Sequence, residues 1–497
     1  MVELTHFDTV FDNISDALTA AADARFLWIG DDLFVVTGSA ANGDLALFRL
    51  SDQGLQLVDE LTYGADTGTN YLQDLEVLNQ NSLGAMIAPI GRADDAAAAI
   101  DVTANGFGTV YSGGTSSTAH HLTTGLMVDV GGRSILYHGN TTSNGVHATR
   151  IMGDGTFKAK HSVPDSPDVT LNDVSALASI DAYGKQFLFA ASAFGAGANS
   201  FRIGKHGNLH VKDVILPEDG SGFTTPQSIT AVHAADGAYV VLASAGTSSL
   251  TVYELKKNGD LIETDHWIDS GHTRFQSASE VTSFAYENRA FVLAAGGDDG
   301  ISLMEVLPGG SLYHHMSIAD DFDAALNNIS GLDVVLDQGI AYVSATSGVD
   351  HGVSIHQIDL VDLAPPNIGD GSKDALVGGA GDDLLDGRGG SDHLSGGVGD
   401  DILIDGAGKD YLTGGEGADV FVFVEDGRRD VILDFEHGTD RIDLSGIDGI
   451  NSLQDLELRQ FSFGGVIVAG DELIRVETAD DTEIERTVWV ADDFIFA

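Results

Sequence analysis

The chain has 497 residues and a formal net charge of −52, with 76 acidic against 24 basic side chains. This length predicts two or more domains, and the charge argues against nucleic acid or an anionic membrane as a partner. The sequence contains no cysteine, which excludes disulfide and thiol chemistry. It begins MVELTHFDTV, without the basic start and apolar run of a Sec-type signal peptide, and no apolar stretch is long enough for a membrane span.

The first 363 residues repeat with a period of about fifty residues. Each unit contains a strongly apolar run after a turn, flanked by other short runs rich in β-branched and aromatic residues. The seven apolar runs are LFVVTGS (33–39), GAMIAPIG (84–91), SILYHGN (134–140), FLFAASA (187–193), YVVLASAG (239–246), FVLAAGG (291–297) and AYVSATSG (341–348). Four strands in each unit predict an all-β fold with an N-terminal seven-bladed β-propeller. A pair of β-sandwiches or a β-helix is the alternative fold, because only the length of the repeat distinguishes a propeller from them.

The seventh unit lacks a fourth strand, because VSIHQIDL is soon followed by Ala364-Pro365-Pro366. Residues 2–10 can supply that strand and close the ring. We therefore expect the propeller to occupy 1–363, with 2–10 completing the last blade, and a stiff linker to occupy 364–368. A short connecting helix is predicted over 13–24.

This half of the chain resembles the seven-bladed propellers grouped with lactonase-like and WD-type repeats, although it has no WD dipeptide. The resemblance implies a fold and not a function. Oxygen-bearing side chains fall at the predicted entries to the innermost strands, where they can ring a channel mouth and hold a hard ion, as in propeller lactonases. They are Asp74, Asn172, Asp173, Gln227, Ser228, Glu280 and Asn328. The alternative is that they cap strand ends through their own hydrogen bonds.

Residues 369–422 are six consecutive nonapeptides, GDGSKDALV, GGAGDDLLD, GRGGSDHLS, GGVGDDILI, DGAGKDYLT and GGEGADVFV. The sixth position is always Asp and the eighth is always large and apolar. A six-residue turn and a three-residue strand per repeat make two repeats one coil of 18 residues, so the turns on one edge come from alternate repeats. This pattern is typical of a calcium-binding parallel β-roll. A flexible Gly/Asp-rich linker is the alternative, but it gives no reason for Asp and an apolar residue to stay in phase.

Turn carbonyls and an Asp from each of two stacked turns form the oxygen cage that Ca²⁺ prefers. The predicted carboxylate ligands are Asp374, Asp383, Asp392, Asp401, Asp410 and Asp419. The turn residues at the same predicted sites are Gly371, Gly378, Ala380, Gly387, Gly389, Gly396, Val398, Ala407, Gly414 and Glu416. Without the ion, the carboxylates repel one another over a thin core. We therefore expect a loosened roll at submicromolar calcium and a folded one at millimolar calcium.

These repeats resemble the secreted RTX (repeats-in-toxin) family. The following segment, 418–447, looks like the one after the roll in serralysin-type proteins. The ending, acidic Asp492-Asp493 before an apolar tail, is similar to the uncleaved signal of type I secretion substrates. The resemblance covers residues 369–497 and implies an extracellular protein, possible association with a cell surface, and the type I secretion machinery as a partner.

Two functions fit these features. The first is a non-catalytic calcium-binding protein whose propeller presents a surface for a glycan, a cell-surface protein or another copy of itself. The second is an extracellular propeller enzyme, of the lactonase, hydrolase or polysaccharide-lyase kind, joined to an RTX secretion module. A pore-forming toxin is disfavoured, because no membrane-inserting segment precedes the repeats. The sequence has no Gly-x-Ser-x-Gly elbow, His-Glu-x-x-His motif or P-loop lysine.

Overall fold

The structure is a computed structural model that describes residues 2–15, 18–62, 72–81, 84–91, 98–112, 121–152, 157–217, 222–321, 324–361, 363–447, 449–461, 464–478 and 489–496. The described residues form strands, turns and short 3₁₀ segments, without an α-helix. The chain divides into two compact units, one made of Glu3–Ala285 with Ala290–Asp359 and the other mainly of Leu360–Ala497. The predicted seven-bladed propeller and parallel roll are both confirmed.

Each blade of the propeller is a four-stranded antiparallel sheet, and in blades 1 to 6 the strands follow in chain order. Blade 1 contains Ala21–Ile29, Asp32–Ser39, Leu45–Ser51 and Gly54–Leu61. Blade 2 contains Leu72–Asn81, Gly84–Gly91, Ala98–Thr103 and Gly106–Ser112. Blade 3 contains Leu122–Asp129, Ser134–Asn140, Gly145–Ile151 and Phe157–Pro164. Blade 4 contains Val174–Ala182, Lys185–Ser192, Gly197–Ile203 and Leu209–Ile215.

The remaining blades follow the same order, except the last. Blade 5 contains Pro226–Ala234, Gly237–Ser244, Ser249–Leu255 and Leu261–Ile268. Blade 6 contains Glu280–Tyr286, Arg289–Ala295, Gly300–Val306 and Leu312–Ala319. Blade 7 contains Ile329–Asp337, Ile340–Ser347, Gly352–Asp359 and, as its outer strand, Leu4–Phe11. Leu4–Phe11 pairs antiparallel with Gly352–Asp359, so the first strand of the chain completes the last sheet.

The apolar cores of the propeller lie between neighbouring blades. One cluster joins Phe187 and Phe189 of blade 4 to Val240 and Leu242 of blade 5, and similar clusters join other adjacent pairs. The second strand of each blade is therefore apolar on both faces, which explains the seven runs in the sequence.

An Asp on the outer strand of several blades also bonds the next blade. The backbone N–H of Leu55 donates to Asp8 Oδ2 (2.6 Å), and that of Phe107 donates to Asp59 Oδ2 (2.9 Å). Asp213 and Asp265 accept the same bond from the next outer strand, at 2.9 and 2.7 Å. These carboxylates bond the outer strands of neighbouring blades beside the apolar clusters, which include Leu261 and Leu312.

The roll stacks short parallel strands into two sheets. One sheet contains Asn367–Ile368, Leu384–Asp386, Ile402–Ile404, Val420–Val422, Arg441–Asp443 and Phe494–Ile495. The other contains Ala375–Val377, His393–Val398, Tyr411–Glu416, Arg429–Phe435 and Glu472–Thr478, followed by the antiparallel Gly464–Ala469 and Glu457–Phe461. Gly389–Gly390 pairs with Ala407–Gly408, and 3₁₀ turns occur at Leu453–Asp455 and Ala491–Asp493.

The coil of the roll repeats every 18 residues, as the nonapeptides predict. Leu376 pairs with Leu394 and Leu394 with Leu412 in one sheet, and Leu385 pairs with Leu403 in the other. These eighth-position side chains are all buried and form a single apolar stack. Each repeat thus contributes one large side chain to the core of the roll.

Two local expectations were wrong. The described residues of that segment, 13–15 and 18–24, form no α-helix, and Ala21–Ile29 instead pairs with Asp32–Ser39 and buries Ala22, Ala24 and Leu27. Burial in a sheet outweighs the helix propensity of alanine there. The linker expected over 364–368 is shorter, because Asn367–Ile368 pairs in parallel with Leu384–Asp386 and begins the roll.

Candidate metal centre

The sixth-position aspartates form two ladders, one on each edge of the roll. The odd ladder is Asp374, Asp392, Asp410 and Asp430, and the even ladder is Asp383, Asp401, Asp419 and Asp440. Within each ladder, the backbone N–H of one Asp donates to Oδ1 of the next, at 2.6–3.0 Å. One carboxylate oxygen of each later rung is thereby fixed by the coil before it.

The second oxygen of the central rungs has no protein partner. Oδ2 of Asp392, Asp401, Asp410 and Asp419 is buried and accepts no hydrogen bond. These side chains are at most 1 % exposed. A buried carboxylate oxygen without a donor is costly, so the folded turns favour a ligand that binds oxygen. The ladders fit Ca²⁺ in this respect, because it takes carboxylate and carbonyl oxygens.

Burial also makes the charged form of these carboxylates unfavourable in the protein alone. It raises the pKa of Asp401 to about 7 and those of Asp410 and Asp419 to about 6, and neighbouring carboxylates add to the effect. Rungs of a parallel ladder lie about 4.8 Å apart. At an effective dielectric constant of about 20, two charges at that distance repel by roughly 3 kcal/mol.

Glycine at the first turn position leaves room for the free oxygen. A Cβ at Gly396 would lie 2.1 Å from Oδ2 of Asp401, and a Cβ at Gly414 would lie 2.1 Å from Oδ2 of Asp419. Any side chain there would occupy the space beside the carboxylate. In these two repeats, glycine keeps the space beside the free carboxylate oxygen open.

The third turn positions stack above one another along each edge. Ala380 pairs with Val398 and Val398 with Glu416 on the even side, and Gly389 pairs with Ala407 on the odd side. The carbonyls of Val398 and Glu416 accept backbone N–H groups from the preceding turn, at 2.7 and 2.8 Å. Each carbonyl keeps a second lone pair for another ligand.

The first coil is more open than those after it. Asp374 and Asp383 are half-buried, and Gly371 and Ala380 are exposed. Gly378 and Gly387, at first turn positions, approach the Oδ2 atoms of their own repeats as Gly396 does. The structure thus places every predicted turn residue along the two ladders, with the best-enclosed positions in the later coils.

Sequence reasoning missed the last rung of each ladder. Asp430 and Asp440 lie beyond the nonapeptides, spaced 20 and 21 residues from Asp410 and Asp419 instead of 18. A signal was available, because each is followed two residues later by a buried apolar residue, Ile432 or Ile442, as in the repeats.

The propeller contains a separate charged cluster on its inner strands. Arg25 of blade 1 donates to Asp23 (3.0 Å) and to Asp74 of blade 2 (2.8 Å), and Asp23 Oδ2 accepts the N–H of Leu75 (2.8 Å). Asp333 of blade 7 accepts the N–H of Phe26 (2.9 Å). Neighbouring blades therefore share one guanidinium and several carboxylates.

Two glutamates beside this cluster have strongly raised pKa values. Burial, together with the Asp74 charge and against the opposing Arg25 charge, raises the pKa of Glu76 and of Glu280 to about 8. Glu76 also accepts the N–H of Met127 in blade 3 (2.7 Å). Groups with such pKa values exchange protons near neutral pH.

The predicted ring of channel-mouth residues is only partly brought together. Asp74 and Glu280 belong to the charged cluster around Arg25. Asn172 accepts from Asn144 (2.8 Å), and the N–H of Asn328 donates to Asp299 (3.0 Å), so both act in loops. Ser228 accepts the N–H of Val281 (3.2 Å) and joins two blades. The carbonyl of Asp173 accepts the N–H of Ala193 (3.2 Å), and Gln227 lies in the inner strand of blade 5.

Asp23, Arg25, Glu76 and Asp333 were not among the predicted residues. Asp23 and Asp74 occupy the third position of their inner strands, and Arg25, Glu76 and Asp333 occupy the fifth. Alternate charged residues on a strand share one face. A comparison of this alternation between the inner strands of successive units could have identified these residues from the sequence.

The fold and the ladders define the class of the protein, a β-propeller with a C-terminal calcium-binding parallel β-roll. Residues 368–403 and 395–423 match the family of the RTX calcium-binding nonapeptide repeat, with four copies. The repeats are therefore RTX repeats, whose proteins bind calcium and are typically secreted. No curated protein sequence matches the chain. No helix in the described part of the chain has the length and apolar character of a membrane span.

Two solved structures share a distant likeness. A functionally unknown protein from Desulfotomaculum acetoxidans DSM 771 is 13% identical with a TM-score of 0.42, over 59% of this chain and 84% of that one. A protein from Lactobacillus plantarum is 14% identical with a TM-score of 0.43, over 69% of this chain and 97% of that one. TM-scores below 0.5 carry no argument about function.

Proposed function

We propose that this is a secreted protein whose roll folds when it binds calcium outside the cell and whose propeller presents a binding surface. The observation that supports it most is the set of buried Oδ2 atoms without hydrogen-bond partners at Asp392, Asp401, Asp410 and Asp419. In this proposal, those atoms and the turn carbonyls beside them bind Ca²⁺ between successive coils. The ion supplies the attraction that the thin apolar stack lacks.

The export route follows from the same chemistry. Cytosolic calcium is too scarce to fill such sites, so the repeats stay loosened and can pass through the type I secretion machinery. The C-terminal residues would act as its signal. Phe494–Ile495 pairs with Arg441–Asp443, and Asp493 lies 2.8 Å from His437 Nδ1, so this segment becomes part of the folded roll.

A groove between blade 1 and blade 7 is the binding surface that we favour. Its wall combines the aromatic side chains Phe7, Trp28 and Tyr342 with carboxylates and amides such as Asp52 and Gln357. Aromatic faces pack against sugar C–H groups, while carboxylates and amides bond sugar hydroxyls. The acidic character of the groove favours a neutral glycan over an anionic one.

Affinity electrophoresis of the full chain through gels with neutral polysaccharides, in millimolar calcium, tests this surface. We expect retardation that Trp28→Ala reduces at least tenfold in affinity. Phe194→Ala is the matched control, because Phe194 is 78 % exposed elsewhere on the propeller. Equal retardation of Trp28→Ala and the parent would show that the glycan does not bind in this groove. If no glycan, cell surface or second copy binds, the non-catalytic proposal fails.

The enzymatic alternative is supported by Glu76 and Glu280. Their pKa values near 8 suit a proton-transfer group beside the Arg25 guanidinium. The test is hydrolysis of a panel of lactones and esters and cleavage of uronic-acid polysaccharides, by the parent and by Glu280→Gln. Turnover that Glu280→Gln abolishes, with unchanged folding, would establish the enzyme; absence of turnover throughout the panel would count against it.

A further inference from the structure

One nonapeptide departs from glycine at its first turn position. The other five repeats have glycine there, and a Cβ at those glycines would lie 2.1–2.9 Å from the Oδ2 atom of the Asp in the same repeat. The fifth repeat has Asp405 instead. Its side chain is 1 % exposed, and its Oδ2 atom has no hydrogen-bond partner. The repeat thus adds a second buried carboxylate close to Asp410.

Further carboxylates from outside the repeats meet this pair. Oxygens of Asp405, Asp410 and Asp430 lie within 4.8 Å of one another, and so do oxygens of Asp426, Asp430 and Glu472. The two groups share Asp430. All of these residues except the half-buried Asp426 are at most 1 % exposed.

Backbone N–H groups donate to oxygens of Asp405, Asp430 and Glu472. The N–H of Val424 donates to Asp405 Oδ1 (2.9 Å), and the N–H of Asp410 donates to Asp430 Oδ1 (2.8 Å). Glu472 Oε2 accepts from Asp426 and Gly427, both at 3.1 Å. These bonds hold the loop 424–428 against the fifth repeat.

No basic side chain balances this charge within the described residues. None of the five carboxylates forms an ion pair with Lys, Arg or His there. Several carboxylates packed together in a buried place repel one another strongly. Within each group the oxygens are within the span that one hard cation bridges, and Asp430 belongs to both groups.

We propose that Asp405, Asp410, Asp430 and Glu472, with Asp426 at the open side, form a further divalent-cation site at the end of the odd ladder. The inference rests on the proposed calcium-dependent roll but differs from its turn sites in chemistry, because side-chain carboxylates replace turn carbonyls. Ca²⁺ is the cation that the oxygen-only donors and the extracellular setting favour. The ion would fasten Glu472–Thr478 and the loop 424–428 to the repeats.

Calcium bound per full-length chain, measured by equilibrium dialysis and elemental analysis, tests the site. We expect Asp405→Gly and Glu472→Gln each to bind one ion fewer than the parent. Asp405→Gly restores the residue of the other repeats, and Glu472→Gln keeps an acceptor for Asp426 and Gly427, so both variants should fold. Asp455→Asn, an exposed charge change in the same unit, should keep the parental number.

A second measurement separates the site from a structural effect. In EGTA, Asp405→Gly should increase amide protection over 405–430, because a repelling buried charge is gone. The parental ion number in both variants would overturn the site. Loss of every ion in both would place the effect on folding and overturn it as well. A parent that binds no calcium would instead refute the proposed roll function.

Discussion

The propeller and the roll differ in how their buried carboxylates are satisfied. In the propeller, Asp23 and Asp74 bond Arg25 and backbone N–H groups. Among the described residues, the buried carboxylate oxygens that lack a hydrogen-bond partner all belong to the C-terminal unit. The buried carboxylates of the propeller thus bond protein groups, whereas in our proposal those of the roll are completed by an added ion. Both units consist of β-strands, yet we expect the propeller to fold without calcium and the roll to fold only with it.

Removing calcium should produce the largest difference between the propeller and the roll. Hydrogen exchange of the full chain in EGTA should show loss of protection over 375–435, while the propeller strands stay protected, because their clusters need no ion. Restoring millimolar calcium should recover the protection. Equal protection of the roll in EGTA and in calcium would contradict the difference between the two units.

Adding a side chain at the first position of a turn should have the second-largest effect, a loss of calcium affinity. Gly396→Ala places a Cβ 2.1 Å from Oδ2 of Asp401, so we expect calcium affinity to fall at least tenfold, about 1.4 kcal/mol. The control is Gly389→Ala, whose Cβ has no contact shorter than 3.4 Å and whose position is alanine in other repeats. Calcium titrations that do not separate the two variants would argue against a site beside Asp401.

Loosening the propeller should leave the roll unchanged. Asp8→Ala removes the acceptor for the N–H of Leu55, between the closing strand and blade 1, and should cost about 1 kcal/mol of propeller stability. Urea unfolding followed by a propeller tryptophan measures this loss. The calcium midpoint of the roll should stay at the parental value; a parallel shift would mean that the units are not independent.

The pH dependence of propeller stability should depend on the buried Glu280. Burial raises the pKa of Glu280 to about 8, so the folded state holds a proton that the unfolded state releases above its ordinary value of 4.5. Stability should therefore fall as pH rises from about 4.5 to 8 and level off above that. Arg25 and Asp74 are the charged groups that act on it. One pKa unit corresponds to about 1.4 kcal/mol.

Glu280→Gln should flatten that dependence in thermal melts between pH 5 and pH 9 and raise relative stability at the alkaline end. Asp31→Asn, an exposed change on the same unit, is the control. A profile with the parental slope in Glu280→Gln would assign the pH dependence to another group.

The sequence predicts features that depend on a local period. The six in-phase aspartates and the seven apolar runs are enough to derive the ladders and the blades, because neighbouring repeats pair with one another. The closing strand follows from counting the strands of the last unit. The prediction of a helix over 13–24 was wrong because the local sequence of an alanine-rich run does not indicate that a sheet will bury it.

Features that depend on distant segments were not predictable in the same way. Arg25 meets Asp74 and Asp333 only when blades 1, 2 and 7 are side by side. Glu472 reaches Asp430 only because Glu472–Thr478 pairs in parallel with Arg429–Phe435. Asp405 was visible as an irregular repeat, but its partners come from outside the repeats.

Titration calorimetry of the full-length chain with Ca²⁺ tests the central claim most directly. We predict saturable heat with several ions per chain, reduced when Asp401→Asn and Asp410→Asn are combined. Those changes remove two ladder charges but keep an acceptor for the backbone N–H of the preceding rung. No heat from the parent chain would contradict the calcium-dependent roll.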